Sequence, residues 1–259
     1  MKTSKAYDLP LRIFHWTFAI LFVLSFSIGN YIDDDSVLHA YHMLSGILMT
    51  FIVILRLFWA RLGSKTSRIN HFRLQPSELI SYFKSVFSHD SKRYLGHNPA
   101  SSYAAIFMIL FTLGLFSSGL LMTFKIEKHF FKETHEIFAN LFLLLVILHI
   151  SGVFLHQWKH KDGMIFSMLN GKKEMITDEE EIKSQHGIVA IIFTFLIIGM
   201  GSYLVSHFDR NTGILSIYGS ELQLWENEDD YEIGRDDDDG ISYEYSDDHQ
   251  HEEENDHEH

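Results

Sequence analysis

The stretch at residues 134–157, THEIFANLFLLLVILHISGVFLHQ, limits what this chain can fold into more than any other. It is almost wholly apolar and exceeds the ~20 residues that a helix needs to cross a bilayer. It holds His156 near its end and, further in, two histidines fourteen positions apart, His135 and His149. At ~100° per residue they fall about 40° apart on one helix face, and at ~1.5 Å per residue they lie ~21 Å apart along the axis. An ionisable side chain in hydrocarbon is costly and marks a functional position by default. A lone histidine there is as well explained by a bond to the next helix. Two in register, one near each membrane surface, point to two stacked cofactors if other helices supply partners at the same depths. Neutral imidazole is a strong iron ligand, which makes haem the leading cofactor.

The average composition hides two unlike parts. The 259 residues carry 34 acids and 21 bases, yet residues 226–259 alone hold 17 acids and one base, Arg235. The rest, with 17 acids and 20 bases, is a mildly basic, apolar body. The acidic tail behind it is expected to be disordered. There is no cysteine, which excludes disulfides, thiolate-held iron–sulfur clusters and covalent CxxCH haem attachment. Any haem is therefore held non-covalently. Lys2, Lys5 and Arg12 precede a long apolar run that lacks a small-residue cleavage site, so this run reads as a membrane anchor that stays in place.

Hydropathy predicts spans at about residues 11–29, 40–59, 99–122 and 134–156, with a fifth at 187–203. The expected fold is an all-α membrane protein: a four-helix haem-binding bundle over residues 7–173, a linker and fifth transmembrane helix over 174–205, and an extracytoplasmic tail over 206–259. Residues 206–225 read as irregular. The first span carries His15, with Arg12 one turn earlier on the same face. The second carries His42 at its start, Gly46 one turn later, where a missing side chain lets a flat macrocycle approach, and Arg56 near its far end. His39, one turn before His42, is an alternative ligand at the water boundary. The third opens on Asn98-Pro99, a helix-start signal, and holds Gly114 and Gly119 for close helix contact. Between the second and third spans, residues 61–97 are basic through Lys65, Arg68, Arg73, Lys84, Lys92 and Arg93. An amphipathic helix is expected there, starting near Pro76, with Leu79, Phe83, Val86 and Phe87 as its apolar stripe.

Lysine and arginine gather at the N-terminus, in residues 61–97 and after the fourth span at Lys159, Lys161, Lys172 and Lys173. The positive-inside rule puts these in the cytoplasm and the acidic C-terminus outside, in the periplasm if an inner membrane is spanned. Depth then pairs the histidines. His15 and His149 share the inner level; His42 and His135 share the outer one. Each pair fills both axial positions of a haem, which suits one-electron transfer and leaves no open iron site. Arg12 and Arg56 are candidates for the propionates of the inner haem, and Lys128 and Lys132 for those of the outer one. For the two lysines, interfacial anchoring serves equally well.

These residues resemble the bacterial cytochrome b561 and nickel-hydrogenase b-type cytochromes. The matching segments are RIFHW (residues 12–16), HMLSG (42–46), RLFWARLG (56–63), GHNPA (96–100), HEIFANLFLLLVILH (135–149) and KDGMIFSMLNGKK (161–173). The resemblance covers residues 7–173. It implies two b haems, with His15, His42, His135 and His149 at the ligand positions. It also implies electron exchange between the membrane quinone pool and a partner redox protein, a periplasmic c-type cytochrome or a hydrogenase. His156, seven residues past His149 on the same face, and His39 remain alternatives to one of the four. His97 and His160 sit where a quinone oxygen could be bonded, or are solvated interface residues. Two other functions compete with electron transfer: a superoxide or ferric oxidoreductase at the outer haem, and a metal-binding protein using His249, His251, His257 and His259 in the tail. Nothing in the chain calls for a nucleic-acid partner.

Overall fold

The computed structural model describes residues 3–34, 36–86, 94, 96–174, 181–217 and 219–225. These belong to one compact unit ending at Trp225. The acidic stretch beyond it, with its four tail histidines, lies outside the described residues, as do Asp35, Phe87, Lys92 and Arg93.

Asp8 starts the first helix, α1 (Leu9–Tyr31): its Oδ1 caps the amide of Leu11 at 3.0 Å, and Pro10 sits in the first turn, where a missing amide proton costs nothing. A short 3-10 turn leads into α2 (Ala40–Leu62). The basic segment holds α3 (Pro76–Val86). Asn98 caps α4 (Pro99–Thr123) through the Ser101 amide at 2.8 Å, as its sequence signal requires. Then come α5 (Lys128–His160), α6 (Met164–Asn170) and α7 (Gly187–Ser206). Helices α1, α2, α4, α5 and α7 are long and apolar enough to cross a membrane. Their outward side chains, among them Val23, Leu148, Phe154, Ile188 and Phe195, are large, apolar and exposed, as helices surrounded by hydrocarbon demand.

Close packing joins α1 to α2, α2 to α4, and α4 to α5, while α7 lies against α1 and α2. Small residues permit this. A Cβ on Gly114 would come within 2.7 Å of the Phe138 ring. The backbones of α1 and α5 stay apart, bridged by the rings of Phe22 and Phe142 5.0 Å from one another, and the facing histidines come from α1, α2 and α5.

At one end of the bundle, strand β1 (Thr3–Lys5) pairs antiparallel with β2 (Lys172–Glu174), Ser4 opposite Lys173. That ladder places the start of α1 beside the segment that follows α5. Asp8 tightens the same end: its Oδ2 accepts from Trp59 Nε1 at 3.0 Å and Ser67 Oγ at 2.9 Å, joining α1 to the end of α2. Lys173 and Asp162, both with fully buried side chains, meet at 3.1 Å, and His156 Nε2 reaches the same carboxylate oxygen at 3.1 Å. Burial alone would raise the Asp162 pKa. The hydrogen bond from His156 and the charge of Lys173 outweigh it and hold the carboxyl below the ordinary range.

Several elements differ from the sequence reading. Helix α5 begins at Lys128 rather than near residue 134, because nothing in KHFFKET breaks a helix; Glu127, in the left-handed region at φ 39°, makes the turn before it. Residues 206–225 are not irregular. They form a hairpin, β3 (Ile214–Ile217) with β4 (Ser220–Gln223), turned at Gly219. Its Leu215, with Phe208 and Leu224, packs on Ala40, Leu44 and Leu204, so the opposite end of α2 and α7 gains an apolar cap. In α3 the inward residue is Tyr82, while Phe83 and Ile80 face outward. Tyr82 earns its place by accepting a bond from Asn98 Nδ2 at 3.1 Å, and burial raises its phenol to about 12.

Candidate functional site

Three helices carry matching positions fourteen residues apart: His15 and Gly29 on α1, His42 and Arg56 on α2, His135 and His149 on α5. Each pair falls within about 40° on its own helix, so every helix shows one face to the centre at two levels.

At the level of the α1–α2 turn, the rings of His42 and His135 lie 6.0 Å apart between centroids. A metal held between two imidazole nitrogens at about 2 Å each sets ring centres about 6 Å apart. The His42 Nδ1 lies 2.8 Å from the Ser25 carbonyl, which can only accept, so Nδ1 carries the proton and Nε2 keeps its lone pair. His135 Nδ1 lies 3.0 Å from Ser118 Oγ, whose own proton goes to the Gly114 carbonyl at 2.9 Å. Both rings are thus oriented by a second partner, as metal-ligating histidines usually are. Gly29 makes room for one of them: a Cβ there would sit 2.9 Å from His42 Nδ1. His39 stands 5.4 Å from the His42 ring, with its Nδ1 3.6 Å from Asp34 Oδ1. Lys132 pairs with the same aspartate at 3.6 Å, and Lys128 stays exposed at the start of α5.

At the other level, His149 is close enough to His15 to act on it electrostatically. Neither ring has a hydrogen-bond partner among the described residues. Around them lie buried polar atoms without partners: Arg56 Nη1, Arg12 Nε and His97 Nε2. Arg12 is half committed, since its Nη1 donates to the Leu169 carbonyl. Arg56 feels Asp8 but forms no ion pair with it. His97 packs against Phe72 at 4.8 Å; burial first, then Arg56, His149 and Lys173, lower its pKa to about 3, so the ring is neutral at neutral pH. Beside Gly46 an added Cβ would meet nothing within 4 Å, so that part of the α2 face is open. His156 is engaged by Asp162, and its ring lies 4.5 Å from that of His160 at a tilt of 44°.

The donor set fits non-covalent haem: paired imidazoles, an open helix face, and buried arginine donors that meet no anion among the described residues. The sequence singles out the four histidines, Arg12, Arg56 and Gly46. It does not single out Ser25, Ser118, Gly29 or Asp8, which the structure places beside them. One signal was available: Ser25 precedes His42 by seventeen residues, and Ser118 precedes His135 by the same seventeen.

The family model described as prokaryotic cytochrome b561 matches residues 6–171. Among curated proteins, the chain is 23% identical over 210 residues to the "Probable Ni/Fe-hydrogenase 1 B-type cytochrome subunit" of Escherichia coli (strain K12), covering 64% of this chain and 88% of that protein. It is 22% identical over 212 residues to the "Probable Ni/Fe-hydrogenase B-type cytochrome subunit" of Cupriavidus necator, covering 66% and 87%. No solved structure matches.

Proposed function

The chain belongs to the prokaryotic cytochrome b561 family, and on that premise we propose that it is a di-haem cytochrome passing electrons between the membrane quinone pool and a hydrogenase-type partner. It is a multi-pass membrane b-type cytochrome of electron transfer. The observation that carries the di-haem proposal is the approach of four histidines from three helices in two pairs.

Haem b, when bound, supplies a reversible one-electron couple at its iron. The chain's residues do the rest. His42 and His135 hold one group, their Nδ1 bonds fixing which nitrogen faces the metal. His15 and His149 hold the other. Arg56 and Arg12 offer buried N–H donors to its propionates, an anion that their own carboxylate neighbour Asp8 does not replace. His97, neutral beside that level, can exchange a hydrogen bond with a quinone oxygen through Nε2. The basic end, with Arg61, Lys65, Arg68, Lys159 and Lys161, then faces the cytoplasm, and the hairpin end faces the periplasm of an inner membrane. The hydrogenase partner is taken from the relatives' names, ahead of a c-type cytochrome.

Reduced-minus-oxidised spectra and haem extraction from the purified chain are expected to give about two low-spin b haems per protein, reducible by quinol. One haem, or a high-spin spectrum, would overturn the proposal. Gly29→Ala adds a further test. The new methyl must displace the His42 ring by several tenths of an ångström, so redox titration is expected to shift one of the two potentials and leave the other in place.

A further inference from the structure

A cleft of about 410 Å³ opens at the C-terminal end of α2, lined by Ala60, Arg61, Leu62, Arg68, Ile69 and Asn70. It is separate from the histidine levels, since Arg61 is turned about 140° from Arg56 around α2. Neither Arg61 nor Arg68 has an ion-pair partner among the described residues, and Arg68 Nε is buried without any hydrogen bond. The positive charges of Arg68 and Lys65 are felt at His71, whose pKa falls through burial first and those two cations next. The lip of the cleft is apolar, with Leu62 74% and Ile69 46% exposed. Because Leu62 is the last residue of a membrane-crossing helix, the cleft sits where hydrocarbon meets water.

That combination selects its occupant. Guanidinium forks match the geometry of phosphate oxygens, and here two face one opening with no carboxylate paired to them among the described residues. The carbonyl end of α2 carries only about half a negative charge, which two arginines exceed. A free phosphate would use the arginines but leave Leu62 and Ile69 facing water; a phosphodiester attached to acyl chains uses both. We propose that this cleft seats the headgroup of an anionic phospholipid, with its acyl chains entering the hydrocarbon beside Leu62.

The test uses the full-length protein in detergent, titrated with phosphatidylglycerol or phosphatidylcholine and read by native mass spectrometry. Phosphatidylglycerol is expected to remain bound to the wild-type chain and phosphatidylcholine to be lost. The double variant Arg61→Gln/Arg68→Gln is expected to bind phosphatidylglycerol roughly tenfold or more weakly, each single variant falling between. Arg210→Gln, at the opposite end beside Tyr41, is expected to match wild type and controls for net charge. A monodisperse elution profile for each variant separates lost binding from lost fold. Equal retention by the double variant, or of phosphatidylcholine, overturns the proposal. So does displacement by millimolar inorganic phosphate, which would identify a site for soluble anions.

Discussion

Replacing His15 with alanine is expected to abolish the same low-spin haem as replacing His149, and to leave the other untouched. His42→Ala and His135→Ala are expected to form the second matched pair. The reason is distance. Along α5 the two levels are ~21 Å apart, so removing one imidazole disturbs its own level and does not reach the other. The decisive variants are doubles. His15→Ala/His149→Ala should keep about one low-spin haem per protein, whereas His15→Ala/His42→Ala should keep none. Haem per protein, measured after pyridine extraction alongside the low-spin spectrum, reads the result. A His15→Ala/His135→Ala protein that retained one haem would show that the rings pair differently. His156→Ala should keep both haems, because its ring is bonded to Asp162.

Asp162→Ala is expected to cause the largest loss of stability among single substitutions outside the paired histidines. The carboxylate is fully buried, contacts His156 and Lys173 at 3.1 Å, and also accepts from the Met164 amide at 3.2 Å. Removing one member of a buried ion pair costs about 3–5 kcal/mol, since the other charge stays desolvated. Thermal unfolding of the purified protein should show it, and Lys173→Met added to Asp162→Ala should recover part of the loss. The pH dependence has a definite sign. The folded carboxyl is held below its ordinary range, so its contribution is complete above the unfolded value and is lost only as pH falls through the lower folded one. The gap between wild type and Asp162→Ala should therefore stay constant from neutral pH down to about pH 4 and shrink below it. A gap that closed between pH 7 and 5 would assign the stabilisation to another group.

What could be read from the chain follows from the kind of signal each feature leaves. Long apolar runs and the Asn98-Pro99 start are local, and they place α1, α2, α4 and α7 close to their true bounds, while α5 extends past its apolar run at both ends. The histidine spacing is periodic, so one helix face at two levels followed from arithmetic. The supports were harder to see. Ser25 and Ser118 are ordinary residues in apolar helices, and only their shared seventeen-residue offset from a histidine sets them apart. Asp8 carries no local sign that it is buried, because Trp59, Ser64 and Ser67 reach it from fifty residues or more away. The hairpin at 214–223 was hidden because its apolar face has no partner until α2 and α7 are side by side.

The ladder between Thr3–Lys5 and Lys172–Glu174 bears on assembly. A ribosome finishes the first strand long before it makes the second, so the opening segment stays unlatched until four of the long apolar helices have been synthesised. During that interval this end of the bundle lacks the ladder. The pairing is thus a late clasp, joining the start of the first helix to the segment that follows the fourth long one.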